Sequence, residues 1–349
     1  MSGRVRHLVG IGVGLALASV AAPAMADDRA SLFDGARVEF GGRVWLSAPR
    51  LDNRLFDPDG TPASRLLWDG GTSTSLETFF RLDLPETGLF VKGFVGGGLT
   101  RGGSLDDEDY AFNVPIPGGT FSGTFLDTYL KGADKPFGYA VADVGLTVPL
   151  SADLPVRLGV FVGGVGSVDE FLGRGVRCNP DDAQNLLCPL DAQVVPLDRD
   201  VIAHEARILG ARIGVEAMIA LPSDLFWRVE AAYVAGGSFA LDDGHLLRTA
   251  TPDPASAPGD PANENALGPA PNIVSNSTEL TGLMLESELT WRLADRWSVS
   301  AGARYWTFDS GSAPVTFGAR LPPPFRDTTS TDNNRLERFG LFTSVSYRF

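Results

Sequence analysis

Residues 339–349 read Phe-Gly-Leu-Phe-Thr-Ser-Val-Ser-Tyr-Arg-Phe, and this stretch decides the class of fold. Phe339, Leu341 and Val345 share one parity, while Ser344 and Arg348 share the other. Successive side chains of a β-strand point to opposite faces, so this strand is apolar on one face and polar on the other. A strand between lipid and a wet lumen has this pattern. Strands of soluble sandwiches also alternate, so the rest of the chain has to repeat it.

Short turn-like segments recur along the chain at intervals of about 70 residues, which predicts a repeated hairpin. These segments are residues 84–87, 150–154, 221–224 and 293–296. Each is followed by the start of another alternating segment, as expected for a tight turn between antiparallel strands. Short turns on one side and long connections on the other are typical of membrane barrels.

The alternation predicts ten strands, an even number, with both chain ends on the side of the short turns. They are placed near residues 36–47, 65–84, 88–101, 125–150, 155–171, 201–220, 225–241, 279–292, 297–307 and 335–349. The predicted fold is all-β: a ten-stranded antiparallel transmembrane β-barrel with short periplasmic turns and long extracellular loops. The loops are expected near residues 102–124, around the two cysteines, at 249–271 and at 313–334.

The N-terminus has the features of a secretory signal peptide. Arg4 and Arg6 precede an apolar stretch, and Ala24-Met-Ala26 forms an A-x-A cleavage site. We therefore expect residues 1–26 to be a signal peptide and residues 27–349 a single outer-membrane β-barrel domain. The alternative is an uncleaved membrane anchor, although the stretch is short for a spanning helix.

The charge of the chain bears on its partners. The net charge is −14, which argues against a nucleic-acid partner, since such a partner requires a basic patch. An acidic protein can attract cationic peptides. The side chains predicted to face the lumen carry charges of both signs, which favours structural ion pairs over an ion pathway. A wide solute pore is not expected of so narrow a barrel.

The two cysteines, Cys178 and Cys188, lie close together in a loop-like segment. In an oxidising compartment they are expected to form a structural disulfide that closes this loop. A metal or redox pair is the alternative, but it has neither a C-x-x-C spacing nor an adjacent histidine.

Two predicted loop starts carry residues capable of chemistry. Gly102-Gly-Ser-Leu-Asp-Asp-Glu-Asp-Tyr110 follows the third strand, and Gly236-Gly-Ser-Phe-Ala-Leu-Asp-Asp-Gly-His245 follows the seventh. In an extended backbone, residues two apart point the same way, so Asp107 and Asp109 project together, as do Asp243 and His245. Both pairs are expected on the outer rim, facing each other across the mouth of the barrel.

In these features the chain resembles the omptins, a family of ten-stranded outer-membrane aspartate/histidine endopeptidases. The omptin Asp-x-Asp-aromatic after the third strand matches Asp107-Glu-Asp109-Tyr110, and the omptin Asp-x-His after the seventh matches Asp243-Gly-His245. Ser64-Arg-Leu-Leu-Trp68 is similar to a segment at the start of the family's second strand. The resemblance spans nearly all of the expected mature chain in strand count, turn placement and C-terminus.

The resemblance implies a catalytic set of Asp107, Asp109, Asp243 and His245, acting in peptide-bond hydrolysis without a covalent intermediate. His245, oriented by Asp243, would take a proton from water that Asp107 and Asp109 hold from the other side. It implies no cofactor and no metal, with lipopolysaccharide as a possible activator. The expected partners are outer-membrane lipid and extracellular peptides or proteins.

The chain departs from omptins where two acids line the pocket for a basic substrate side chain. The matching positions are Asn53 and Leu241, so cleavage beside Arg or Lys is not implied. The simpler interpretations are a solvated turn or Ca²⁺ site at residues 106–109 and an ordinary loop histidine at His245. His204, beside Glu205, lies near the sixth strand. The alternative functions are a non-catalytic barrel acting as adhesin or surface-structural protein, and a small channel.

Overall fold

The computed structural model describes residues 36–116, 119–149, 155–179, 193–246, 272–317 and 330–349. The predicted signal peptide, the turn at 150–154 and the loop at 249–271 lie outside the described residues and stay predictions. In the part described, no helix is long and apolar enough to cross a membrane. The all-β class predicted from the alternation is confirmed, since the described residues form strands and their connections.

The described residues form fourteen strands. They are β1 Arg37–Phe56, β2 Pro62–Asp69, β3 Thr72–Leu84, β4 Leu89–Arg101, β5 Ser104–Ile116, β6 Gly119–Gly132, β7 Lys135–Pro149, β8 Val156–Cys178, β9 Gln193–Leu221, β10 Leu225–His245, β11 Asn272–Ser277, β12 Thr281–Arg292, β13 Trp297–Phe317 and β14 Thr331–Arg348.

The antiparallel pairings of these strands close into a ring. At the end with the short turns, which we call the turn end, the ring runs β1, β3, β4, β7, β8, β9, β10, β12, β13, β14 and back to β1. At the opposite end, the mouth, β2, β5, β6 and β11 replace β3, β4, β7 and β12. The ring of ten strands is uneven, because the strands run from 12 residues in β12 to 29 in β9.

The long strand predicted at 65–84 is therefore two strands, β2 and β3, and the one at 125–150 is β6 and β7. The loop predicted from residue 102 is wrong over most of its length, since β5 and β6 pair there as a hairpin. Gly102 and Gly103, both with positive φ, separate β4 from β5. Glycine adopts this conformation without a Cβ penalty, so the chain bends and then continues as strand.

The described turns confirm the predicted hairpins at the turn end. β3 leads into β4 through residues 85–88, and β9 leads into β10 through residues 222–224. Ser223 and Asp224 both have left-handed φ values, of 64° and 57°. Two successive left-handed residues match the twist of the flanking strands, which is why such turns join hairpins.

The exterior of the ring is apolar. Leu76, Leu209 and Leu341 are 71%, 67% and 62% exposed, and inward neighbours such as Arg43 are buried. A soluble protein has the reverse arrangement, because it rarely exposes large contiguous apolar patches. We call this exterior surface the apolar belt. It ends at one level on adjacent strands, because Ala48 pairs with Phe339 and the next outward pair is Arg50 with Glu337.

The interior of the turn-end half is filled by ion pairs, as the mixed inward charges predict. Glu77 lies 3.0 Å from Arg43 and 2.7 Å from Arg304, and the Arg304 side chain is completely buried. A second group joins Glu216 to Arg81 and Lys92 at 2.8 and 2.7 Å. Opposite charges in contact satisfy one another's hydrogen-bonding groups, so these side chains have a structural role.

A layer of aromatic side chains separates this lattice from the mouth. Trp45 and Trp306 have their ring centroids 5.0 Å apart, and Tyr139 packs edge-on against both. Both tryptophans are buried. Trp227, Trp291 and Trp297 are instead 42–52% exposed on the outer surface. The inward aromatic side chains thus lie between the ion pairs of the turn-end half and the mouth.

Candidate functional site

The mouth half of β10 carries the predicted Asp-His pair, and a β-bulge aims it inward. Before the bulge Ala232 and Val234 are buried, whereas after it Phe239, Leu241 and Asp243 are buried. The register with β9 shifts between Val234 and Gly237, where β10 has one extra residue. An extra residue exchanges the two faces of a strand. Without it, Asp243 and His245 would point outward, in phase with Trp227.

The bulge requires glycine. Gly236 and Gly237 have φ values of 148° and 138°. A Cβ on Gly237 would collide with the carbonyl oxygen of Leu209 on the paired strand. The Gly-Gly sequence ahead of the acidic segment therefore sets the direction in which the segment's side chains point.

Asp243 and His245 contact each other, as their spacing predicts. Nε2 of His245 lies 3.2 Å from Oδ2 of Asp243. The Asp243 side chain is 4% exposed and the His245 side chain 20%, so the imidazole has access to the mouth. This pair lies outside the belt, since Arg207, an exposed residue of β9, pairs with Ala240 and marks the belt's end.

The carboxyl of Asp243 is held in its ionised form. Burial alone would raise its pKa, but the neighbouring imidazoles of His245 and His204 hold the pKa well below its ordinary value. A buried carboxylate beside an imidazole orients the ring and stabilises the imidazolium form. This is the electrostatic setting that a general-base histidine requires.

His204 is a residue of the site that the sequence pattern did not predict. It pairs directly with Asp243 in the register of β9 and β10, and its Nε2 lies 2.9 Å from Oδ1 of Asp243. The side chain is completely buried. The contact is close but does not have the geometry of a hydrogen bond, and neither atom has a hydrogen-bond partner in the described residues. Counting along β9 and β10 from the turn at 222–224, with one extra residue in β10 for the bulge, gives the pairing of His204 with Asp243.

Trp68 joins the site from β2. Its indole N–H donates to Nδ1 of His204, and the two rings meet edge-on with centroids 5.6 Å apart. Phe171 packs on the other side, 5.4 Å from the Trp68 ring. Trp68 ends the segment that resembles the start of the omptin second strand, so this part of the resemblance falls on a residue of the mouth.

Asp107 and Asp109 lie on β5, a strand rather than the predicted loop. Register places Asp107 opposite Leu66 and Asp109 opposite Ser64, on the face that includes buried Leu105. Directly paired residues share a face, so both carboxylates are on the inward side of the wall that also carries Trp68. The predicted common direction of the two is confirmed. Their position across the mouth from His245 stays a prediction.

The two positions where omptins carry pocket acids are buried in the mouth and lack a carboxylate. Leu241 is 2% exposed and Asn53 is 7% exposed. Asn53 Nδ2 donates to Asp332 at 3.1 Å and to Oδ1 of Asn334 at 2.6 Å. Asn334 Nδ2 in turn donates to Ser275 at 3.1 Å, and Ser275 pairs with Leu241. We call Asn53, Ser275, Asp332 and Asn334 the Asn53 cluster.

Asp332 is the acid of the Asn53 cluster. It lies beyond the belt, on the mouth side of the exposed Arg335. Burial raises its pKa to about 6, and the nearby negative charge of Asp243 adds to the shift. Amide N–H groups from Asn53 and Asn334 both reach its Oδ2. This carboxyl therefore exchanges protons close to neutral pH.

One of the two cysteines of the predicted disulfide lies among the described residues. Cys178 ends β8 and is completely buried. Cys188 lies outside the described residues, so its pairing with Cys178 stays a prediction.

The chain shares its fold with an outer-membrane protease. The crystal structure of outer membrane protease OmpT from Escherichia coli matches with a TM-score of 0.66 at 12% sequence identity, over 90% of this chain and 97% of that one. At that identity the likeness concerns the fold, and it bears out the omptin resemblance at that level. No protein-family model matches the chain, and no curated protein matches it.

Two further structural similarities are weak. The toluene transporter TbuX of Ralstonia pickettii is 9% identical, with 88% of this chain and 90% of that chain covered and a TM-score of 0.26. A Pseudomonas aeruginosa FadL homologue is 9% identical, with 91% of each chain covered and a TM-score of 0.23. Scores this low carry no argument about this chain.

Proposed function

We propose that this protein is a ten-stranded transmembrane β-barrel of the bacterial outer membrane. The support is physical: a closed ring of strands, large apolar side chains exposed on its exterior, and charged side chains paired in its interior. A closed ring leaves no unpaired strand edge in the lipid, where unsatisfied backbone groups are costly. The fold shared with OmpT supports the same location.

We further propose that its mouth is the active site of an endopeptidase. The observation that carries this is the contact of His245 with a buried, ionised Asp243, on the inward face and open to the mouth. A histidine oriented by a carboxylate is the usual general base of hydrolytic sites. No hydroxyl or thiol nucleophile is invoked, so water is the nucleophile.

The geometry of the pair assigns the proton positions. Nε2 of His245 faces Asp243, so this nitrogen carries the N–H and Nδ1 is free to accept a proton. Nδ1 takes a proton from water as the oxygen bonds to the substrate carbonyl carbon. The C–N bond then breaks, and the imidazolium returns that proton to the leaving amine. Asp107 and Asp109 hold the water from the opposite wall.

The residues around the pair indicate an uncharged substrate side chain. Leu241 presents an apolar surface two residues from Asp243, and Asn53 has an amide in place of an acid. Asp332 is engaged by the amides of the Asn53 cluster. A basic side chain would have no free carboxylate to pair with among these groups, and burying an unpaired charge is costly.

The test uses the folded protein in detergent, with and without lipopolysaccharide, incubated with a peptide library and followed by mass spectrometry. We expect cleavage beside uncharged side chains. His245→Ala is expected to lower kcat by about 10²–10⁴-fold, the usual contribution of a general base. Leu246→Ala, at the exposed neighbouring position, is the matched control. A folded His245→Ala protein that cleaves as well as the control would contradict the proposal.

The second candidate is a non-catalytic barrel that acts as an adhesin or surface-structural protein. The Asn53 cluster favours it, because its side chains hydrogen-bond to one another where a substrate pocket would lie. An adhesin would bind its ligand unchanged after His245→Ala and would cleave no peptide of the library.

A further inference from the structure

We infer that His204 is a positioning residue of the mouth, held by Trp68 in the tautomer with a bare Nδ1 and a proton on Nε2, the nitrogen that lies 2.9 Å from Asp243. The role in cleavage rests on the proposed function; the protonation state does not. His204 lies on β9, Trp68 on β2 and Asp243 on β10, so three strands meet at this imidazole.

The proton position follows from the chemistry of tryptophan. An indole N–H only donates, so its bond to Nδ1 of His204 requires a lone pair on that nitrogen. The proton of the neutral ring is then on Nε2, which lies 2.9 Å from Oδ1 of Asp243. A second proton on Nδ1 would set two donors against each other in a site where Trp68 is 4% exposed.

Three described side chains on neighbouring strands surround His204, and they favour this tautomer. Trp68 faces the ring from β2, Phe171 is its register partner on β8, and Asp243 is its partner on β10. Among these three, Asp243 carries the charge. Its anion favours a proton on Nε2, and the Trp68 N–H excludes one from Nδ1, so the two contacts select the same tautomer.

The consequence for the site is a carboxylate held at both oxygens. Oδ1 of Asp243 contacts His204, and Oδ2 contacts His245. The first contact fixes the rotation of the carboxylate and thereby the direction in which Oδ2 meets His245. The His204 side chain is completely buried and the His245 side chain is 20% exposed, so His245 is the imidazole of the two that can take a proton from water.

The first experiment measures protonation directly and needs no substrate. The folded protein, with ¹⁵N-labelled histidine in detergent micelles, is examined by long-range ¹⁵N–¹H correlation at neutral pH. We expect one imidazole with a bare Nδ1 and a protonated Nε2. Its signals are assigned by their loss in His204→Gln. A proton on Nδ1 of this ring would overturn the inference.

Trp68→Phe tests whether the Trp68 N–H fixes the tautomer of His204. Phenylalanine keeps an aromatic ring against Phe171 and removes the N–H, so the proton of His204 is expected to be shared between Nδ1 and Nε2 instead of staying on Nε2. Trp227→Phe removes an exposed indole on the outer face of β10 and is the control. Identical ¹⁵N–¹H correlation signals of His204 in Trp68→Phe and the control would overturn the role of Trp68.

The second experiment measures cleavage. His204→Leu is expected to lower kcat by about tenfold or more with KM changed less, since misaligned groups slow the chemical step. His204→Gln, which keeps an N–H near the position of Nε2, is expected to restore most of the rate. In Trp68→Phe kcat is also expected to fall with KM changed less, whereas the control Trp227→Phe keeps the rate of the unsubstituted protein.

The outcomes separate the two proposals. If the unsubstituted protein cleaves nothing, the proposed function fails while the spectra still decide the tautomer. If it cleaves and His204→Leu cleaves equally well, the positioning role is overturned. If His204→Leu does not fold, kcat of Trp68→Phe decides, and a value equal to that of the control counts against the inference.

Discussion

Replacing Asp332 by asparagine should stabilise this protein, and only above a particular pH. The pKa of Asp332 is raised from 3.8 to about 6 in the folded state, chiefly by burial. A raised pKa means that folding favours the neutral form of the carboxyl over the ionised form. Its stabilising contribution is complete below the unfolded pKa and is lost as the pH rises through the folded pKa. Above that pH the buried carboxylate weakens the fold.

The magnitude follows from the shift. One pKa unit corresponds to about 1.36 kcal/mol, so the rise from 3.8 to about 6 corresponds to about 3 kcal/mol. The asparagine side chain cannot ionise, and its oxygen can accept the N–H groups that Asn53 and Asn334 now direct at the carboxylate. The Asp332→Asn protein should therefore gain up to about 3 kcal/mol over the unsubstituted protein between about pH 4 and pH 8.

The assay is equilibrium unfolding in denaturant, followed by tryptophan fluorescence of the protein in detergent at both pH values. Other groups also titrate over this range, so the quantity to compare is the change in the mutational difference. Asp224→Asn, in an exposed turn where φ is 57°, is the control, because asparagine tolerates that conformation. A stabilisation by Asp332→Asn that is equal at both pH values would refute the reasoning.

Two further predictions concern the scaffold. Deleting Gly236 removes the extra residue of the bulge, so the Asp-His pair of β10 should turn outward and peptide cleavage should be lost while the strand content in circular dichroism stays; retained cleavage would contradict the assigned register. Glu77→Gln removes the carboxylate that Arg43 and Arg304 share in the interior, although Arg304 keeps its contact with Glu286, and should lower the free energy of unfolding by up to about 3–5 kcal/mol. Glu205→Gln breaks a pair on the exposed side of β9 and should cost at most about 1 kcal/mol; equal losses in these two variants would contradict the structural role of the interior lattice.

Period-two alternation was enough to predict most of the strands. The strand predicted at 88–101 is β4 at 89–101, and the one predicted at 225–241 is β10 at 225–245. Where lipid or water faces a strand, the side chains must match it, so the pattern is visible in the sequence itself. The acidic segment at 106–109 is predicted as a loop because its charges hide the alternation, yet it belongs to β5.

The candidate site was only partly predictable. The spacing of Asp243 and His245 predicts their contact, because residues two apart share a face of any strand. Whether that face is inward or outward depends on the bulge at Gly236 and Gly237. The alternation before the bulge, continued to Asp243, would place the pair on the outer face. His204 has no signal of its own beside Glu205 in the sequence, and register alone brings it to Asp243.

The sequence by itself thus determined the class of fold, the two faces of each strand and the turns that join them. These depend on neighbours along the chain and on the solvent that each face meets. Only the tertiary structure decided which side chains contact each other across the mouth, where Trp68, His204 and Asp243 come from three strands far apart in sequence. Such contacts depend on strand register around the closed ring, and a single bulge changes that register for every residue beyond it.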